Sequence, residues 1–339
     1  MHLVKATSFD IAYRAGVSQS TVSRALRNSP LVNEETRLKV QAIAKELNYK
    51  VDKNARNLRS QQSHTIALLL FEDKTIDDSQ INPFFLSMLG SITRACSLKG
   101  YDLLVSFQEM NNDWHAEYED TNRADGLILL GYGDYVHYKD KLKHLSEQGT
   151  HFIRWGAEVK DMAVATIGCD NLNGGFQLTK HMLDKGKKSC AFIGTASHRA
   201  PELYDRYRGH CQALEIAGIS VDEQLQIDAM YTEEGGYLAT KELIARNVSF
   251  DSVFAATDLI AIGAMRALKE HGLKIPDDVA LVGFDDIPIA NFTSPALTTA
   301  KQDTVLAGQL LVDNLLKLIA GEKPSTLLIP TQIIERKSC

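Results

Sequence analysis

A short polar run near the start of the chain carries side chains that could bind nucleic acid. Hydroxyl, amide and guanidinium groups are concentrated in Gln19, Ser20, Thr21, Ser23 and Arg24. These side-chain types hydrogen-bond base edges and phosphates in the major groove of DNA. Any small helical domain also has a polar exposed face, so this chemistry depends on the element that carries it.

The surrounding residues predict two helices that cross at a tight turn. Thr7 and Asp10 have the spacing of a capping box, which begins a first helix. Gly16 suits the left-handed residue with which such a helix ends. Ser18 is a favoured N-cap for a second helix, predicted over 19–26. The polar run then lies on the exposed face of the second helix of a helix-turn-helix, which is the helix that enters the major groove.

A third helix is predicted over 34–47, with Asn33 as its N-cap. Its buried side is expected to comprise Leu38, Val40, Ile43, Ala44 and Leu47. The two N-cap residues, Ser18 and Asn33, are included among the candidate DNA-binding residues. Three short helices around one core would form a head domain over residues 1–50.

Charge is unevenly distributed along the chain, whose net charge is -6. Residues 1–60 hold eleven Lys and Arg against five Asp and Glu, a balance of +6. The remainder has a balance of -12. A basic head on an acidic body suggests that the head contacts phosphate and the body does not. A merely solvated basic face would give the same charge pattern.

Length and composition narrow the class of protein. The 339 residues are enough for two or three folding units. Five scattered cysteines, with no C-x-x-C pair, argue against a disulfide framework or a zinc site, and we expect neither a metal nor a cofactor. No apolar stretch reaches 18 residues and the first residues lack the apolar core of a secretory signal, so we expect a cytoplasmic protein.

From residue 64 onwards, short apolar runs alternate with helical stretches. The runs include 66–71, 126–131 and 280–286, and the stretches between most of them have a period of about 3.6 residues. This alternation predicts parallel sheets covered on both faces, and the length favours two doubly wound lobes over one. Because ligands bind at the carboxyl ends of such strands, the expected ligand site is a cleft between the lobes.

Two sets of motifs resemble one family. The run D-I-A-Y-R-A-G-V-S-Q-S-T-V-S-R-A-L-R-N, followed by V-N-E-E-T-R-L-K-V and E-L-N-Y, closely resembles the LacI/GalR family of bacterial repressors. The later motifs N-P-F-F, V-G-F-D-D and S-P-A-L-T-T-A-K-Q-D resemble the periplasmic-binding-protein-like body of the same family. The resemblance runs essentially to the end of the chain. It implies an all-α helix-turn-helix head and an α/β body of two doubly wound parallel-sheet lobes.

The same resemblance implies the domain boundaries. The head covers 1–50, a hinge helix or linker covers 51–63, and an effector-binding and dimerisation domain covers 64–339. Within this body we expect the chain to cross three times between the lobes. The predicted segments are 64–168 and 303–328 in the first lobe, and 172–300 and 332–339 in the second.

The hinge carries two further candidates for DNA binding. In the family that this chain resembles, the leucine matching Leu58 wedges into the minor groove at the centre of the operator, and Arg56 would lie along the phosphates. About eight polar residues cannot hold a helix alone in water. From the residues alone, this segment could equally be an ordinary interdomain linker with one exposed leucine.

The ligand-binding candidates follow from the resemblance, position by position. They are Phe84, Phe85, Asp170, Arg206, Tyr231, Asp258, Asp285 and Gln302. Trp155 is added because it ends a strand of the first lobe. Carboxylates that accept from hydroxyls, an arginine that donates a fork of hydrogen bonds, and aromatic faces together suit a polyhydroxylated ligand.

Structural roles remain open for several of these candidates. Asp170 and Asp285 lie at strand ends, where aspartate commonly caps the next helix. Phe84 and Tyr231 could be ordinary core aromatics, and so could Trp155.

Three positions differ from the ligand-binding residues of known family members, and these differences indicate which class of ligand binds. Ala200 and Glu202 stand where purine-binding members present an arginine and a hydroxyl, which disfavours a nucleobase. Thr257 stands where some sugar-binding members carry an asparagine. A cleft with three acids and one arginine should also repel a sugar phosphate, so the resemblance points to a neutral sugar.

These observations predict a sequence-specific DNA-binding repressor controlled by a small ligand and working as a homodimer on palindromic operator DNA. Two alternatives are a soluble sugar-binding protein and a sugar-processing enzyme. No G-x-S-x-G, P-loop or dinucleotide fingerprint is present, which argues against an enzyme. The basic head argues against a transport-type binding protein.

Overall fold

The computed structural model describes residues 6–49, 62–71, 81–108, 112–131, 135–158 and 164–339. The chain divides into two compact units, Met1–Ser63 and His64–Cys339. Two predicted DNA-binding residues, Arg56 and Leu58, lie outside the described residues.

The head contains three helices around its own core. They are α1 (Ser8–Ala15), α2 (Gln19–Leu26) and α3 (Glu34–Glu46). The predicted capping box between Thr7 and Asp10 is present, and Gly16 ends α1 in the left-handed conformation with φ 70°. Ile11, Val22 and Val40 are fully buried between the helices. Local capping and apolar spacing therefore account for this domain.

The prediction for the buried side of α3 was wrong at Leu38. Its side chain is 56% exposed, whereas Val40 and Ala44 are buried. Two residues along a helix correspond to a rotation of about 200°, so Leu38 and Val40 cannot share one face.

The first lobe of the body is built on a six-stranded parallel sheet. Its strands are β1 (Thr65–Leu70), β2 (Asp102–Phe107), β3 (Gly126–Leu130), β4 (Phe152–Trp155), β5 (Thr166–Cys169) and β11 (Leu327–Ile329). Their hydrogen-bonded order is β11-β5-β4-β3-β1-β2. The central strands are almost continuously apolar because helices cover both faces of the sheet.

The second lobe repeats this plan. Its strands are β6 (Cys190–Ile193), β7 (Gln226–Ile227), β8 (Ser252–Ala255), β9 (Ala280–Asp285), β10 (Thr298–Lys301) and β12 (Gln332–Ile334). The order is β12-β10-β9-β8-β6-β7, in which β12 alone is recorded as antiparallel to its neighbour within the described chain.

Helices cover both sheets. They are α4 (Pro83–Leu98), α5 (Tyr135–Glu147), α6 (Asn171–Asp184), α7 (Pro201–Ile216), α8 (Glu233–Ala245), α9 (Asp258–Glu270) and α10 (Thr304–Ile319). The pairs α4 and α10, α6 and α7, and α8 and α9 pack against each other. Among the described residues, no helix has the length and apolar character needed to cross a membrane.

The described part of the body passes between the two sheets three times. The chain leaves β5 through Asp170 for α6, leaves β10 through 302–303 for α10, and leaves β11 through 330–331 for β12. Three connecting segments therefore join the two lobes, all at the same edge of the sheets. Any change in the angle between the lobes must act on these connections.

Backbone contact joins α6 and α7 beside the first of these connections. A Cβ on Gly209 would lie 2.0 Å from the carbonyl oxygen of Leu172, and one on Gly175 would lie 2.2 Å from that of Arg206. Neither distance is possible for real atoms, so both positions require glycine for the two helices to approach this closely.

Replacing Gly209 by alanine should therefore destabilise the body, because α7 must move away from α6. We expect Gly209→Ala to lower the free energy of unfolding by about 2 kcal/mol or more, as measured by urea denaturation. Gly90→Ala in α4 is the control, because nothing lies within 4 Å of its added Cβ. That variant should gain about 0.5–1 kcal/mol. Equal effects of the two substitutions would contradict the helix contact.

Candidate functional site

The outer face of α2 presents the predicted polar run. Ser20 and Arg24 are exposed, while Thr21 and Ser23 are partly buried. Ser18 caps the helix: its Oγ accepts from the backbone N–H of Thr21 at 3.2 Å. The structure therefore brings these side chains together on one helix whose apolar side packs in the head core.

Gln19, Ser23 and Asn33 are also among the candidates in the head that have local partners. Gln19 is partly buried, and its Nε2 donates to Ser8 Oγ at 2.9 Å. Ser23 Oγ accepts from Arg27 Nη2 at 3.1 Å. Asn33 caps α3 by accepting from Thr36 N at 2.8 Å. Ser20 and Arg24 are the exposed members of the polar run, and Ser20 Oγ lies 2.8 Å from Ser18 Oγ.

The body contains a buried polar cluster around Arg206 of α7, which is 1% exposed. Its Nε donates to Asn171 Oδ1 at 2.8 Å, and its Nη1 donates to the carbonyl oxygen of Ala256 at 2.7 Å. The same nitrogen lies 3.5 Å from Asp285 Oδ1. The guanidinium stacks 3.8 Å from the ring centre of Phe284. Two hydrogen bonds, an ion pair and an aromatic ring therefore compensate this buried cation.

Asp285 is the anionic member of this cluster. It ends β9 with a φ of 120°, a conformation that non-glycine residues rarely adopt. Its Oδ1 also accepts from Gln302 Nε2 at 2.6 Å. Burial raises the pKa of Asp285 to about 6, against the opposing effects of Arg206 and Gln302. Such strain and altered acidity are features of functional sites, although structural ion pairs share them.

The cluster touches two of the connections between the lobes. Asn171 follows the first crossing directly, and Gln302 lies in the second. Arg206, Asp285 and Gln302 were all predicted, whereas Asn171 was missed. It directly follows the predicted ligand-binding residue Asp170 in the sequence.

Asp258 does not behave as the predicted ligand-binding residue. It is completely buried; Oδ2 accepts from Ile287 N at 2.9 Å and Oδ1 from Thr299 Oγ1 at 2.5 Å. The absence of a side chain at Gly283 leaves room for this carboxylate. Burial, followed by the charge of Asp285, raises its pKa well above the usual range. Asp258 therefore ties α9 to the sheet of the second lobe instead of facing a cleft.

The remaining candidates lie in less polar surroundings. Asp170 caps α6 by accepting from Asn173 N at 3.0 Å. Phe84 and Phe85 are buried in the first turn of α4, and the Phe84 ring centre lies 6.1 Å from that of Trp155. Tyr231 is partly buried against the hydrophobic core of the body.

A small opening that is continuous with solvent lies at the carboxyl ends of β1, β3 and β4. Trp155, Phe71 and Tyr138 supply aromatic walls, and Arg154 and Glu202 supply charge from opposite lobes. Arg154 was not among the predicted site residues. An arginine within an otherwise apolar, buried strand could have marked it as one.

Comparison with known proteins assigns the family. Residues 9–52 match "Bacterial regulatory proteins, lacI family", and residues 179–339 match "Periplasmic binding protein-like domain". The HTH-type transcriptional regulator CelR of Thermobifida fusca is 30% identical over 335 residues, which are 97% of this chain and 96% of that protein. The chain belongs to the LacI family of bacterial regulatory proteins.

Further similarity extends along the whole of this LacI-family chain. The ribose operon repressor of Escherichia coli strain K12 is 30% identical over 319 residues, 93% of each protein. The solved structure of a transcriptional regulator CelR–cellobiose complex is 28% identical, with a TM-score of 0.74, and covers 98% of this chain and 100% of that one. The predicted fold class is confirmed, and the protein is a DNA-binding transcriptional regulator and not an enzyme.

The acidity of Asp285 gives a pH-dependent prediction. Its pKa is about 6 in the folded protein and about 3.9 in an unfolded chain, so folding favours the protonated form. The resulting stabilisation is present below about pH 4 and is lost as the pH rises through 6. The melting temperature of the wild type should therefore fall relative to that of Asp285→Asn between pH 4 and 7.5.

Asp277→Asn, at an exposed position of the same lobe, controls for the loss of one negative charge. A constant difference between the wild type and Asp285→Asn across this pH range would show that Asp285 does not titrate as inferred.

Proposed function

We propose that this LacI-family chain is a cytoplasmic, homodimeric repressor that binds palindromic operator DNA and is controlled by a neutral sugar bound in the body. The observation that carries the proposal is the buried cluster around Arg206. It joins the second lobe to two of the connections between the lobes, so a ligand that contacts it can change their geometry.

In the head, α2 enters the major groove. Gln19, Ser20 and Arg24 contact base edges, and Thr21 and Ser23 contact the DNA backbone. The exposure of Ser20 and Arg24 supports this assignment. Gln19 would first have to release Ser8, which is a modest requirement for a partly buried hydrogen bond between neutral groups.

The hinge would supply the remaining DNA contacts. We assign Arg56 to the phosphates and Leu58 to the minor groove at the centre of the operator, on the resemblance to the family alone. One leucine from each subunit would enter the central base step, which costs a few kcal/mol of base stacking and is offset by the contacts that the bend permits.

The chemistry of the body suits a carbohydrate. Trp155 lines the opening, and the buried cluster of Arg206, Asp285 and Gln302 contains both donors and acceptors. Asp170, Phe84, Phe85 and Tyr231 would complete the surroundings of the ligand. The similarity to the CelR–cellobiose complex supports a sugar as the class of ligand. Asp258 is left out because its oxygens are occupied within the protein.

Ligand control would follow from the connections between the lobes. Contacts with Gln302 and Asp285 favour one lobe angle over another, and each subunit passes the change to its hinge. Coupling of this kind is typically about 1–3 kcal/mol, or roughly 5–150-fold in affinity.

Association of two bodies would bring two heads to one palindrome. The edge strand β2 offers a surface for this contact, since Val105 and Phe107 are 43% and 41% exposed on it. Exposed apolar side chains on an edge strand favour pairing with a second copy.

The assignment of Arg24 can be tested with DNA. Genomic fragments upstream of the gene and its neighbours provide the operator, located by footprinting with the full-length protein. Arg24→Ala should weaken specific binding by about 1–3 kcal/mol and relax the preference for at least one base pair, as measured by fluorescence anisotropy.

Arg14→Ala is the matched control, because Arg14 lies on α1 and is paired with Glu46. It should leave the base preference unchanged. If both variants bind the operator and its mutated forms as the wild type does, α2 does not read the sequence through Arg24.

The fluorescence of the two tryptophans can be used to locate the ligand site. Trp155 lines the opening, while Trp114 is buried in a separate cluster on the first lobe. A bound sugar from a carbohydrate panel should change the tryptophan fluorescence of the wild type and of Trp114→Phe, but not that of Trp155→Phe. A signal that persists in Trp155→Phe and disappears in Trp114→Phe would place the ligand elsewhere.

A further inference from the structure

The first residue of the body has an unusual backbone conformation. The chain passes from the first compact unit to the second between Ser63 and His64, and His64 directly precedes β1. The φ of His64 is 49°, which lies in the left-handed region that residues with a side chain rarely adopt. Contacts with the rest of the body must therefore hold His64 in this conformation.

Asp125, which directly precedes β3, supplies the main contact. Its Oδ2 accepts from the backbone N–H of His64 at 2.9 Å, and its own N–H donates to the carbonyl oxygen of Thr65 at 2.8 Å. The carbonyl oxygen of His64 accepts from Asp102 N at 2.9 Å. The His64 ring packs edge-on against Tyr101, with 5.5 Å between the ring centres. Both polar backbone groups of His64 are thus bound to the starts of the two strands beside β1.

The same strands connect His64 to the opening of the first lobe. β1 pairs with β3 in parallel register along 66–70. At the carboxyl ends of the two strands, Phe71 and Leu130 line the opening. Because hydrogen-bonded strands do not slide past each other, a movement of this part of the first lobe displaces Asp125 and His64 together.

The second lobe offers an internal comparison. β6 and β8 pair there as β1 and β3 do in the first lobe. Asp251 directly precedes β8, and its carboxylate accepts from the backbone N–H groups of Lys188 at 2.8 Å and Ser189 at 3.1 Å, immediately before β6. Ser189 is not one of the described residues with a positive φ, whereas His64 is. An aspartate that joins two strand starts is therefore common to both lobes, and the left-handed residue is particular to the lobe that the chain enters from the head.

We propose that Asp125 is a positioning residue for DNA binding, because it holds His64 in the left-handed conformation and so fixes the path by which the chain enters the body. In a dimer, two heads must reach two half-sites at a set distance. A path that is no longer fixed at this point must be ordered again on binding, which lowers the affinity for the operator. This inference rests on the proposed operator binding, and the contact itself can be measured without DNA.

The contact is tested by hydrogen exchange of the His64 amide in the free, full-length protein. Asp125→Ala removes the acceptor and should accelerate this exchange by about tenfold or more. Asp125→Asn retains an amide oxygen and should exchange more slowly than Asp125→Ala. Unchanged exchange in Asp125→Ala would overturn the contact.

The positioning role is tested with the operator, by fluorescence anisotropy below the melting transitions of all variants. Asp125→Ala should weaken operator binding by about tenfold. Asp251→Ala is the matched control, because it removes the corresponding carboxylate from the second lobe. Both variants should have lower melting temperatures than the wild type, but Asp251→Ala should bind the operator as the wild type does. Equal losses of operator affinity in the two variants would reduce Asp125 to a residue that only stabilises the fold.

Two substitutions of His64 test the left-handed conformation separately. His64→Gly and His64→Val both remove the ring that packs on Tyr101. Glycine adopts a positive φ readily, whereas a β-branched residue there is a genuine outlier. His64→Gly should therefore bind the operator about as tightly as the wild type, and His64→Val about tenfold more weakly. The same affinity in both variants would show that DNA binding does not depend on this conformation.

The two levels of proposal fail in different ways. A wild type that binds no duplex from its genomic neighbourhood would contradict the proposed operator binding, and with it the positioning role of Asp125. Exchange of the His64 amide would still decide whether Asp125 holds this residue. Equally tight operator binding by the wild type and Asp125→Ala would retain the operator binding and reject the positioning role.

Discussion

The burial of Arg206 is the constraint on which the arrangement of the body depends. A guanidinium cannot lose its protons in a protein, so taking it out of water costs several kcal/mol unless its surroundings compensate. Asn171, Ala256, Asp285 and the ring of Phe284 provide that compensation from three different segments. Each segment is therefore held in position by the need to satisfy one cation.

Packing makes this position possible. The close approach of α6 and α7 at Gly175 and Gly209 brings the backbone of Arg206 against the helix that begins with Asn171. A larger residue at either glycine would separate the helices and leave the guanidinium without that partner. The glycines, which have no chemistry of their own, thus place a charged group beside a connection between lobes. The sequence of this helix pair therefore determines its packing, and the packing determines the position of the proposed ligand contact Arg206.

Much of the fold could be predicted because it depends on local signals. The caps at Thr7 and Ser18 and the bounds of α2 follow from short-range patterns, and the buried strands stand out as apolar runs. The site was less predictable, because it depends on which way side chains point. Asp258 turns back to the sheet over Gly283, and Arg154 occupies a strand whose pattern suggests only apolar burial. The position of Asp258 is set by contacts with Ile287 and Thr299, which are far from it in sequence, and that of Arg154 by Ala157 and Thr166 on the neighbouring stretch of chain.

The self-contained core of the head constrains how control can work. Ile11, Val22 and Val40 pack within the head, and the buried cluster around Arg206 is satisfied within the body. Neither unit therefore needs the other to complete its core, and a ligand need not alter either fold. The hydroxyls of the ligand exchange existing hydrogen bonds for new ones of similar strength. The net free energy available for switching is therefore small. Three connections between the lobes suit such a switch, because a small preference for one lobe angle acts on all of them together.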